Sequence, residues 1–399
     1  MNTALSEAGV AAPHEAVDCA ADSPQTSRLP PLAWILVFGV FCIPIGVLWD
    51  ISWHSAIGRD SFWTPAHMVI YLGGAVPGMI SGWIALRTHF FGSETERSQA
   101  VSIFGLRAPL GAWLTIWGAT CMLTSAPFDD WWHNAYGLDV KILSPPHTLL
   151  AIGMYAVAWG VLLQLLSLQN RLGQPGSRHA GIGFVLVAGV MLNMLTIFLT
   201  EKSQPNQMRG PEFFYICAWQ YPVLLALARR ASNHRWACSI VALTYMGIQL
   251  AMIWILPLFR AEPKLAPIYI PIDHMVPPSF PLLMIVPAFA LDLYYHRWLQ
   301  RPYSPWLLAG VFALIYLAIL MPIQWHFSAF LISPGADNAF FAGNRQFPYY
   351  SPVGEWKFRY WGIDRNPVTL QVIFVTIALA YVSSRIGLGI GHWMTRVRR

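Results

Sequence analysis

Charge is scarce in this sequence. Asp, Glu, Lys and Arg make up 11% of its 399 residues, against about 25% in a soluble domain. That shortage excludes an ordinary water-exposed surface. The basic residues are scattered through short segments with no dense patch, so the net charge of +6 does not point to nucleic acid. Cysteine offers no framework either. Five residues with no CxxC pair argue against complete disulfide pairing and against thiolate metal chemistry. Residues 1–30 hold Glu7, Glu15, Asp18, Asp22 and Arg28 without an apolar core. They predict a disordered cytoplasmic tail rather than a secretory leader.

What the chain does have is apolar length. Hydrophobic residues reach 56% and mean hydropathy is +0.47. Nineteen Trp and fifteen Tyr suit the aromatic belts at membrane interfaces. The expected fold is an all-α integral membrane protein of about ten transmembrane helices. The segments are 31–53, 65–86, 109–126, 146–168, 181–200, 213–229, 237–257, 279–297, 305–324 and 367–391. Pro222 interrupts the sixth, which reads as re-entrant or broken. With the N-terminus inside, fourteen of the 25 Lys and Arg residues fall on the inner side and ten on the outer, favouring cytoplasmic termini.

Two outer segments stand out by length. Residues 258–278 are Pro-rich and contain Asp273, His274 and Met275. Residues 325–366 are aromatic, contain His326, Asp337, Glu355 and Asp364, and read as a cap over the outer face. Asp273, His274, His326 and Glu355 are secondary site candidates. Asp292 and His296, four apart near an inner helix end, read as structural.

The sharpest signal is an internal repeat. Asp50-x-x-Trp53-His54, Gly58-x-Asp60 and Thr64-Pro65-x-His67 return as Asp129-x-x-Trp132-His133, Gly137-x-Asp139 and Ser144-Pro145-x-His147. The offset is 79 residues through the second Asp and 80 thereafter. Asp and His four apart share one helix face. Asp50 with His54, and Asp129 with His133, therefore form two-point claws at helix ends. Thr64 and Ser144 suit N-caps, with Pro65 and Pro145 at the first helical position. That sets His67 and His147 in the first turn of the next helix, facing back toward each claw. One carboxylate and two imidazoles per hairpin suit copper, zinc or iron, and three protein ligands leave open coordination positions. Asp60 and Asp139 are placed to orient a ligand, and Trp53 and Trp132 to pack beside it. The domain reading is a tail over 1–30, a duplicated four-helix metal-binding unit over 31–168, and about six further helices over 169–399.

At these residues the chain resembles the C subunit of the copper membrane monooxygenases, the family of particulate methane monooxygenase and ammonia monooxygenase. Asp50, His54 and His67 match that family's Asp-x3-His-x12-His pattern, with Arg59, Asp60 and Thr64-Pro65 alongside. Asp129, His133 and His147 match its neighbouring Asn-x3-His-x13-His site, Asp129 standing where the family has Asn. The resemblance covers roughly residues 31–168. It implies copper at one or both trios, catalysis at Asp50, His54 and His67, and outer-shell roles for Arg59, Asp60, Asp139, Trp53 and Trp132. It also implies dioxygen, a small apolar substrate, an external electron donor, and further copies or partner membrane subunits in a bacterial inner membrane, with the metal sites facing outward. The residues alone leave two alternatives: a copper-binding, sensing or transport protein, and a zinc-dependent intramembrane hydrolase.

Overall fold

The computed structural model describes residues 29–58, 61–137, 144–197, 202, 204–266, 272–298, 304–342, 364 and 366–398. The long elements are α1 (Pro31–Ala56), α2 (Pro65–Phe91), then a short α3 (Glu94–Ser98). A two-stranded hairpin of β1 (Val101–Ile103) and β2 (Leu106–Ala108) follows, pairing Val101 with Ala108 and Ile103 with Leu106. Then come α4 (Leu110–Tyr136), α5 (Pro145–Arg171), α6 (Gly176–Ile197), α7 (Pro211–Ala231), α8 (Ala237–Ile255), α9 (Ile285–Trp298), α10 (Pro305–Leu331) and α11 (Leu370–Met394).

Among the described residues, seven helices are long and apolar enough to cross a membrane: α1, α2, α5, α6, α8, α10 and α11. Three other segments read as spans lie in α4, α7 and α9. Helix α4 ends in the polar run Asp129, Asp130 and His133, and α7 carries Glu212, Arg229 and Arg230. Helix α9 has only 14 residues. Before it, residues 276–284 form neither helix nor strand yet are largely buried, with prolines at 277, 278 and 281 that need no acceptor for an N–H. Leu282 N donates to Tyr245 Oη and Leu283 N to Gln324 Oε1, so side chains satisfy backbone that a helix would satisfy internally.

Pro222 does not break its helix. Helix α7 is continuous over Pro211–Ala231, and the carbonyls of Cys217 and Trp219 accept hydroxyls from Tyr316 and Ser383. Neighbouring helices thus supply donors around the proline. Helix α10 likewise runs to Leu331, so His326 is helical and the outer segment begins later than the sequence suggests. The described part of that segment packs Phe340 and Phe341 against Phe280. Residues 343–363, including Glu355, lie outside the described residues.

Small residues let the first four long helices approach closely. A methyl on Gly39 would sit 2.5 Å from Pro77, and one on Gly118 2.5 Å from Val157 N. Close backbone approach replaces the hydrophobic drive that lipid removes. The two hairpins share a contact. A methyl on Gly73 would meet the Gly39 carbonyl at 3.1 Å, and one on Gly153 would meet the Gly118 carbonyl at 2.8 Å. Gly118 follows Gly39 by 79 residues and Gly153 follows Gly73 by 80, the offsets of the Asp/His motif. The hairpins then pack side by side through Gly78 against Ala119. Gln164 on α5 ties them together, donating to Ser81 on α2 and Thr115 on α4.

Candidate metal centre

Both motif trios lie at the same end of the bundle, where α1 hands over to α2 and α4 to α5. In the second hairpin, Asp129 and His133 occupy the last turns of α4. Gly137 ends that helix at φ 86°, ψ −173°, a left-handed conformation open to glycine and strained for other residues. Gly58, its counterpart after α1, has φ 101°. The chain re-enters helix at Ser144, whose hydroxyl accepts the His147 N–H. Thr64 occupies the equivalent cap position before α2, but its buried hydroxyl makes no such bond.

These turns bring side chains from different helices together. Asp129 Oδ2 lies 3.5 Å from His133 Nε2, and Asp129 Oδ1 lies 3.5 Å from His147 Nε2. One ligand atom from each residue falls within 4.8 Å of the other two. In the first hairpin, Asp50 Oδ1 lies 3.3 Å from His67 Nε2 and Oδ2 lies 3.7 Å from His54 Nε2. His54 is 47% exposed against 16% for His67, so that claw is splayed toward the surface. Among the described residues, the three-way gathering of ligand atoms is found only at Asp129, His133 and His147.

The donor set fits a metal ion. Hydrogen bonds prefer about 2.7–3.2 Å. Two donors each about 2.1 Å from a shared ion at a tetrahedral angle lie about 3.4 Å apart, close to the spacing here. The His133 ring adds a second argument. Its Nδ1 lies 3.1 Å from the Gly137 carbonyl, which only accepts, so Nδ1 carries the proton. That leaves Nε2, the atom facing the Asp129 carboxylate, as the ring nitrogen placed to take a shared cation. A backbone carbonyl fixing the tautomer of a ligand imidazole is a recurring feature of metal sites. Gly137 was visible in the repeat as a shared glycine; its role as carbonyl partner appears only in three dimensions.

Other candidates separate. Trp53 packs half-buried against the main core. Trp132 lies against Tyr136, ring centroids 4.5 Å apart, and meets Phe128 edge-on. Arg59, Asp60 and Asp139 lie outside the described residues. The described parts of the 258–278 segment, 258–266 and 272–278, meet the end of α1. Lys264 Nζ donates to the Ala56 and Ile272 carbonyls, and Leu265 N to the Ile57 carbonyl. A cation on terminal carbonyls also complements the helix dipole. His274 forms a backbone bridge with Arg260 in that loop, and the Asp273 carbonyl accepts from Ala261 N. Asp292 is fully buried and accepts from Cys238 N, Ser239 N and Ser239 Oγ, which caps α8. His296 packs edge-on against Trp236.

No protein-family profile, curated protein or solved structure matches the chain.

Proposed function

We propose that this protein is an integral membrane copper protein that oxidises a small apolar substrate with dioxygen. Two sites hold the metal: Asp129, His133 and His147, and Asp50, His54 and His67. The observation that carries the reading is the Asp129 carboxylate facing two Nε2 atoms at 3.5 Å from consecutive helices, with a similar trio one hairpin earlier. Copper supplies dioxygen activation when bound, with electrons from an external donor. The chain's residues supply the rest. Asp129 and Asp50 lower the charge of the ion. The Gly137 carbonyl holds His133 in the ligating tautomer. The half-buried ligands keep the site at the interface, where an apolar substrate arrives through lipid.

The topology proposed for this function has ten membrane helices. In it α4 and α7 span alongside the seven apolar helices, and α9 is a half-length helix completed by the non-helical segment 276–284. The motif and the shared Gly39–Gly73 and Gly118–Gly153 contacts support a duplicated hairpin. The Lys/Arg distribution supports cytoplasmic termini and outward-facing metal sites.

The test is elemental analysis of protein purified from its native membrane, followed by dioxygen uptake with small alkanes and a reductant. Copper at about two ions per chain, with substrate-dependent uptake, is expected. Zinc instead of copper would move the reading to hydrolysis. Copper without any substrate-dependent uptake would move it to binding or transport.

A further inference from the structure

At the end of the bundle away from the metal ligands, the α5–α6 and α7–α8 turns enclose an open cleft of about 380 Å³ lined by Gln174, Arg178, Asn233, His234, Arg235 and Trp236. None of these residues is acidic. The cleft's floor is held in place. Arg229 Nη1 donates to the carbonyls of His234 and Arg235, and Asn233 Nδ2 donates to Ser177 O and Oγ. His234 Nδ1 accepts the Trp236 N–H, so the neutral ring presents an Nε2–H donor. Burial, then the guanidinium of Arg178, hold His234 below its usual value, with Arg229 and Arg235 acting in the same sense. Only Asp292 opposes them, and its carboxylate already caps α8. Positive charge is therefore crowded into this cleft without a local counter-ion among its lining residues.

The cleft continues into an apolar surface. Arg235 lies over the Trp236 ring, 4.9 Å from its centroid. Trp236 stacks on Phe289 of α9, centroids 5.4 Å apart and planes 11° off parallel. Phe289 is exposed, as are Val286 and Leu293, which form an i, i+3, i+7 stripe along α9. A basic pocket, an aromatic step and an outward apolar stripe follow one another in the order of a phospholipid's parts. Basic pockets between membrane helices take anionic headgroups.

We propose that this cleft binds the phosphate headgroup of an anionic phospholipid, with its acyl chains lying along Val286, Phe289 and Leu293. The two arginines give charge recognition, and the α9 stripe distinguishes a lipid from free phosphate. Delipidated full-length protein in detergent, titrated with dioleoyl phosphatidylglycerol or dioleoyl phosphatidylcholine and read by native mass spectrometry, tests this. Phosphatidylglycerol is expected to bind at least about tenfold more tightly than phosphatidylcholine. The double variant Arg178→Gln/Arg235→Gln should lose about tenfold of that binding. Arg87→Gln/Arg107→Gln, equal in charge and elsewhere on the chain, should keep it. Leu293→Gln should weaken lipid binding through the stripe alone, with the arginines intact. Equal binding of the two lipids, or full binding by the Arg178/Arg235 variant, would overturn the proposal. Displacement of phosphatidylglycerol by millimolar inorganic phosphate, with Leu293→Gln unaffected, would assign the cleft to free phosphate and overturn it too.

Discussion

His147 Nε2 stands 3.5 Å from Asp129 Oδ1, although the two residues belong to consecutive helices, α5 and α4. His133, one helical turn after Asp129, brings its own Nε2 to the other carboxylate oxygen at the same distance. Removing either imidazole leaves the Asp129 carboxylate facing one imidazole instead of two. His147→Ala should therefore reduce bound metal from about two ions per chain to about one, measured by mass spectrometry of the purified protein. Retention of both ions would show that His147 is not a ligand.

Gly137 and Gly105 separate strain from chemistry. Each has φ near 80–90°, and a methyl on either would meet nothing within 4 Å. Alanine at either position should cost about 1–3 kcal/mol of stability from backbone strain alone. Only Gly137→Ala disturbs the carbonyl that orients His133. It should weaken metal binding about 10–100-fold while Gly105→Ala leaves affinity unchanged. Isothermal titration on both variants checks this, and equal affinities would remove the carbonyl from the account.

Helix approach is tested in the same way. A side chain at Gly153 would run into the Gly118 carbonyl and Met122 N at 2.8 Å. Gly153→Leu should push α5 from α4, lower the melting temperature and separate His147 from Asp129. Gly82 has open space around it, so Gly82→Ala should be neutral or stabilise by up to about 1 kcal/mol. Equal melting temperatures for the two variants would contradict the packing described.

Much of this centre was legible because its logic is local. The i, i+4 spacing of Asp129 and His133, the shared glycine and the Ser144-Pro145 start are all read within one hairpin. The apolar helices were legible from length alone. Features that depend on distant chain were not. Asp292 caps α8 from 53 residues away. Residues 279–284 read as the start of a span by hydropathy, yet they stay out of the helix, with Leu282 N and Leu283 N bonded to the Tyr245 and Gln324 side chains. Helix α7 runs on through Pro222 among hydroxyls that Tyr316 and Ser383 bring from other helices to the Cys217 and Trp219 carbonyls. The Arg178–Arg235 cleft exists only once two turns meet.

The cleft also carries a pH signature. Burial first, and then Arg178, depress His234 relative to its usual value of 6.5. Between the folded value and 6.5 the unfolded chain binds more protons, so stability falls as pH drops through that window. His234→Gln should lose that component. Melting temperatures of both proteins across this range check it. A parallel decline in both would remove His234 from the pH response.

The central claim is that a metal ion sits between Asp129, His133 and His147. Electron paramagnetic resonance of the copper-loaded protein in the His54→Ala background, which removes the first site's exposed imidazole, tests it most directly. The account predicts a Cu(II) signal split by nitrogen hyperfine coupling that is lost on adding His147→Ala. A signal without nitrogen coupling, or one unchanged by His147→Ala, would contradict it.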